Sequence, residues 1–140
     1  MSWVFLTDLH AYKLKKPVCN DEVDARSVEQ RHFYCNEKLR LNRRLAPQIY
    51  LAMVPLSLEG HGHLQLDGRG EAMDSLVKMR RLPAALMLDH ALAAETASEE
   101  TLRPAIAVVA AFYQACAPLA MTPAAYRRRL ATVMAKTVFA

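Results

Sequence analysis

Two lysines, Lys13 and Lys15, stand two positions apart in the run AYKLKKPV, residues 11–18. A strand sends successive side chains to opposite faces, so both ammonium groups leave by one face while Tyr12 and Leu14 share the other. Lysines on an edge strand guard it against aggregation. Paired ammonium groups also hold anions, phosphate above all. The second use needs a preorganised lysine, because a flexible ammonium carries large rotamer entropy, and a helix carboxylate is one group that can aim it. Glu37 is the best placed: Phe33, Glu37 and Leu41 follow one another at i, i+4 and i+8, on a helical seam bordered by apolar groups. Glu29 is a second option, near a helix start where it would favour the dipole. The alternative for Glu37 is a weak local pair with Arg40 at i+3.

These residues need elements to position them. SWVFL reads as a strand, TDLH as a turn and AYKLKK as a second strand stopped by Pro17, so the three make a hairpin. Residues 19–26 (CNDEVDAR) form a polar connection. Ser27 and Gln30 have the spacing of a capping box and open a helix to about Leu45. Val28, Cys35, Leu39 and Ala46 share a narrow arc, extended by Tyr34, Leu41 and Leu45. Arg31, Lys38, Arg40, Arg43 and Arg44 crowd the remaining surface. IYLAMVPLSL predicts a buried strand, EGHGHLQLDGRGEAMD a hairpin with HLQL as its return arm and a loop after it, and SLVKMRRL a further strand stopped by Pro83. From residue 84 the chain is alanine-rich. It predicts a helix over 84–95, a second over 98–117 with Pro104 as its start or a kink, and a third capped by Thr122 with Pro123 at its first position. A small antiparallel sheet with one long packed helix, followed by helices alone, is an α+β fold. The boundary falls near residue 83, giving a lobe over 1–83 and a helical segment over 84–140.

Bulk properties narrow the function. With 18 basic and 14 acidic residues the net charge is +4, which suits an anionic ligand and is too mild to indicate nucleic-acid binding. Cys19, Cys35 and Cys116 form no CxxC pair, so neither a disulfide framework nor a zinc site is indicated. No signal peptide or membrane helix is expected, which points to a reduced, cytoplasmic protein. His61 and His63 read as a solvated hairpin tip, Arg127, Arg128 and Arg129 as a solvated helix face, and Cys116 as a small packed residue.

Two strands with a lysine on the second, a helix with a central glutamate, then a strand leading into helices is the order of a kinase small lobe. SWVFLTD, HAYKLKKPV, CNEKLRLNRRLAP, IYLAMVPL and LVKMRRLP resemble the aminoglycoside phosphotransferase-like kinase family, in a bacterial branch often fused to a P-loop ATPase domain. The likeness spans roughly residues 2–90; beyond, only AVVAAFYQACAP looks like a first large-lobe helix. The resemblance implies an ATP-binding lobe, with Lys13 as the phosphate lysine, Lys15 as its reserve and Glu37 as the helix partner. It implies Met79, Arg80, Arg81 and Leu82 as the hinge whose backbone meets adenine, and Mg²⁺ only as it accompanies nucleotide.

The departures are as informative. No aspartate follows Asp89, no histidine follows His90, and the last asparagine is Asn42. The catalytic Asp and Asn and the metal-binding Asp of such kinases therefore have no counterparts, and positioning and metal charge supply most of phosphoryl-transfer catalysis. No glycine precedes Gly60, so no glycine-rich loop covers the phosphates, and the sheet is expected one strand short with an open edge at SWVFL. The expectation is a truncated kinase-like chain that binds nucleotide without turnover. The competing expectations are a non-catalytic module that docks a second copy or another protein through the open edge and the basic helix, and a gene remnant.

Overall fold

The computed structural model describes residues 1–19 and 23–138, with side chains through Ala135. The polar connection therefore lies partly, at 20–22, outside the described residues. The fold is α+β, and the chain forms two compact units, residues 1–106 and 107–140.

The first unit opens with the hairpin β1 (Ser2–Leu6) and β2 (His10–Lys15). Thr7 closes the turn: its N–H and its hydroxyl both donate to the His10 carbonyl, at 2.8 and 3.1 Å. After the connection, the Ala25 N–H donates to the Val18 carbonyl at 2.9 Å. Helix α1 (Val28–Asn42) starts at the Ser27 cap, whose hydroxyl accepts the Gln30 N–H at 3.2 Å. It ends earlier than the pattern predicts, because Arg44 and Leu45 bond back three residues to Leu41 and Asn42 and tighten the last turn. Strands β3 (Tyr50–Leu58), β4 (Leu64–Leu66) and β5 (Glu71–Arg80) complete an antiparallel sheet of order β1-β2-β5-β3-β4. β5 is longer than SLVKMRRL, because residues 71 and 72 already pair with Leu58 and Ser57 of β3.

The glycines belong to that hairpin. A Cβ on Gly70 would sit 2.1 Å from the Leu58 carbonyl oxygen, and the Gly70 N–H donates to the Glu59 carboxylate at 2.8 Å. The segment is a strand connection rather than a phosphate cradle.

α1 stands on β5 through three side chains. The Arg31 guanidinium donates to the Asp74 carboxylate at 2.8 Å, to the Arg26 carbonyl at 2.7 Å and to the Ala25 carbonyl at 3.2 Å. His32 Nδ1 lies 3.0 Å from the Ser75 hydroxyl, and the Cys35 thiol donates to the Ser75 carbonyl at 3.4 Å. Arg31 is buried, which corrects its assignment to the solvated side of the helix. The core lies along β5, where Val77 is 1% and Leu76 3% exposed, beside Val54, Cys35 and Ala25. Val28, Leu41 and Leu45, which share the helix's apolar arc, are exposed.

The alanine-rich stretch after β5 is not one helix. A 3-10 turn (Ala84–Leu86) and a short α2 (Leu88–Ala93) are separated by Met87, whose ψ of 142° is extended. α3 (Glu99–Ala115) runs through Pro104, so the Glu100 carbonyl loses its usual amide donor. Its start is fixed reciprocally: Thr101 N–H donates to the Ser98 hydroxyl at 3.3 Å and Ser98 N–H to the Thr101 hydroxyl at 3.0 Å. In the second unit, α4 (Pro123–Val138) is capped by Thr122, whose hydroxyl accepts the Ala125 N–H at 3.2 Å. Arg127, Arg128 and Arg129 are exposed on it. Among the described residues no helix is long and apolar enough to cross a membrane.

Candidate functional site

The strand register places the candidate residues. Lys15 faces Ser2, Lys13 faces Val4 and Val77, and Ala11 faces Leu6 and Met79 across the ladders. Directly paired residues of antiparallel strands share a face, and alternate residues of one strand do too. Ser2, Val4, Leu6, Ala11, Lys13, Lys15, Val77 and Met79 therefore lie on one face of the sheet.

Two clefts open on that face. The larger, about 490 Å³, is mainly apolar, with Val4, Leu6, Ala11, Ile49, Tyr50 and Met79 as walls and residues 80–83 along one rim. At that rim the Arg80 N–H donates to the Ile49 carbonyl at 2.8 Å and the Arg81 N–H to the Leu9 carbonyl at 2.9 Å. The Arg81 guanidinium donates to the Thr7 carbonyl at 2.9 Å, fastening the rim to the β1–β2 turn. The Leu82 N–H has no acceptor among the described residues.

The smaller cleft, about 230 Å³, lies between β2 and α1, lined by Ser2, Lys13, Lys15, Tyr34, Cys35, Glu37, Lys38, Leu41 and Val77. It brings both strand lysines and Glu37 to one place. The Glu37 carboxylate, however, is held by Arg40, which donates to both its oxygens at 2.9 and 2.7 Å. That contact keeps the carboxyl below its usual range and leaves it turned to its helix neighbour. The Lys15 ammonium lies 4.8 Å from the centre of the Tyr34 ring, a cation–π contact that steadies it.

Lys38 is the cleft residue that sequence reasoning missed. It is half-buried in the cleft, and burial first, then the Lys13 ammonium beside it and the charge of Lys15, lower its pKa to about 8. The signal was present in the spacing: Lys38 follows Tyr34 by four and Cys35 by three, so it shares their helix face. Its formal charge had assigned it to solvent instead. Three ammonium groups thus converge on a cleft whose lone carboxylate is already paired. Cys35 is buried, and burial pushes its thiol up, away from thiolate chemistry. His61, with φ of 67°, and His63 are exposed on the β3–β4 connection, and among the described residues no three metal-ligating side chains cluster.

No family model matches the chain, and no solved structure matches it. Curated relatives do: uncharacterized proteins of Mycobacterium bovis and of two strains of Mycobacterium tuberculosis, each 35% identical over 111 residues, or 79% of this chain. The chain spans about a fifth of the length of these relatives, 20% in each case.

Proposed function

We propose that this sheet face binds a nucleoside triphosphate, and that the chain is the ATP-binding lobe of an aminoglycoside phosphotransferase-like kinase. The observation that carries the reading is the adjacency of the two clefts. An apolar slot ending at a backbone rim suits a flat base, and Ala11 in its wall is two residues from Lys13 in the cationic cleft, about 7 Å along the strand. The Leu82 N–H, without an acceptor among the described residues, suits an adenine ring acceptor. The reading concerns binding alone: transfer draws on a catalytic base and Mg²⁺ ligands, roles the proposal assigns to no residue of this lobe. Calorimetric titration with Mg²⁺-ATP tests it. The natural chain is expected to bind, and Lys13→Met to bind about tenfold or more weakly, as the loss of one charged hydrogen bond implies. Absence of heat from the natural chain at millimolar nucleotide sinks the proposal.

A second reading rests on the sheet edge. β1 is an outer strand, and Trp3, Val4, Phe5 and Leu6 are exposed along it. An unpaired apolar edge is a template for strand addition, here by β1 of a second copy. Sedimentation velocity is expected to show a concentration-dependent dimer that Phe5→Lys weakens. A monomer at every concentration up to the solubility limit rules this reading out.

A further inference from the structure

We propose that Lys38 is a third phosphate-contacting residue of the cleft between β2 and α1, and that it makes the cleft prefer the most highly charged anion and release it as the pH rises. This rests on the nucleotide reading for the neighbouring apolar slot, but the anion contact stands on its own geometry. The charged and titratable groups facing Lys38 are Lys13 and Lys15 from β2, and Tyr34, Cys35 and Glu37 from its own helix. β1 and β5 contribute the uncharged Ser2 and Val77. Glu37 is neutralised by Arg40 at 2.7 Å, so three ammonium groups in one cleft have no free carboxylate among them. Like charges gathered at a partly buried site cost free energy unless a counter-charge joins them. A terminal or bridging phosphate of a polyphosphate chain supplies that charge, with oxygens enough for three donors.

The sign of the pH effect follows from the lowered pKa. The anion binds the ammonium form of Lys38. In the free protein that form prevails below about 8 and is lost as the pH rises through that value. Affinity for a polyphosphate is therefore steady up to neutrality and falls in alkali through Lys38. Arginine at the same position keeps its charge throughout this range.

The test is calorimetric titration of the full chain, Lys38→Met and Lys38→Arg with inorganic tripolyphosphate at pH 7 and pH 9.5, with adenosine titrated alongside. The ligand's own ionisation is common to all three proteins and cancels in the comparison. At pH 7, Lys38→Met is expected to bind tripolyphosphate about tenfold to a hundredfold more weakly, while adenosine binding is unchanged. Lys38→Arg is expected to bind at both pH values, whereas the natural chain weakens at pH 9.5. Tripolyphosphate binding by Lys38→Met within twofold of the natural chain overturns the inference. So does an equal alkaline loss in Lys38→Arg, a readout that survives should the methionine variant fold poorly. If the natural chain binds adenosine but no tripolyphosphate, this inference alone falls. If it binds tripolyphosphate but neither adenosine nor ATP, the nucleotide reading falls and the anion site remains.

Discussion

Arg31→Ala is expected to cost about 3–5 kcal/mol of folding stability, the range for removing one partner of a buried ion pair. The side chains of Arg31 and Asp74 are 9% and 14% exposed and meet at 2.8 Å. The same guanidinium also satisfies the carbonyls of Ala25 and Arg26. Truncation removes the counter-charge of a carboxylate that keeps the Ser75 N–H at 2.8 Å, and takes this donor from the buried Ala25 carbonyl. A domain of this size holds about 5–15 kcal/mol in total, so the loss is a large share of the whole. Urea denaturation reads it as a drop in midpoint at unchanged slope. A loss below about 1 kcal/mol would mean that water reaches the pair freely and the burial argument is wrong. Arg103→Ala is the control: its partner Glu99 lies as close, 2.6 Å, but both side chains are more than two-thirds exposed, and no measurable change is expected.

The consequence reaches the site. Arg31 ties α1 at once to β5 and to the segment entering the helix, and α1 carries Tyr34, Glu37 and Lys38 over β2. A loosened helix widens the cleft even in molecules that remain folded. Arg31→Ala is therefore expected to weaken anion binding at temperatures well below its unfolding transition.

That pair also marks where the sequence stops being legible. The hairpin of β1 and β2 is readable because alternation and a short turn are local signals, and the Ser27 cap because its partner Gln30 is three residues away. Arg31 and Asp74 are 43 residues apart, and no local pattern couples them. On a helix, charge reads as solvent-facing by default. Here that default misplaced Arg31, which is buried beside a carboxylate, and Lys38, which lines a cleft. Lys13, Lys15 and Glu37 were identified as candidates and do line one cleft, while the local Glu37–Arg40 pair, the bland alternative, is the contact formed. The first residues of β5 were missed for another reason: Glu71–Asp74 carries a carboxylate at each end and follows a glycine, and pairing with β3 makes it a strand. The helix over 84–95 was read from its alanine-rich composition, which gives no sign that Met87 stays extended.

Ala11→Leu is expected to separate the two clefts functionally. Ala11 lies between Leu6 and Met79 across the ladders and forms part of the apolar wall, but it does not line the cationic cleft. A leucine suits a strand as well as alanine does or better, and the position is half-exposed at an open slot, so the fold has room for it. The added isobutyl group occupies space that a base would need. ATP affinity is expected to fall about tenfold or more, equivalent to at least about 1.4 kcal/mol, with tripolyphosphate affinity held within twofold. Lys13→Met should lose tripolyphosphate and keep adenosine. Calorimetry on the two variants with the three ligands therefore gives a crossed pattern that neither a general loss of folding nor a diffuse attraction between a +4 chain and an anion can produce. Unfolding would remove every ligand from one variant together. Diffuse attraction would leave ATP and tripolyphosphate equally indifferent to Ala11 and would fade steeply with added salt. Unchanged ATP affinity in Ala11→Leu would mean that the base does not sit between β1 and the β5 rim, and the smaller cleft would then bind phosphates without reference to what they are attached to.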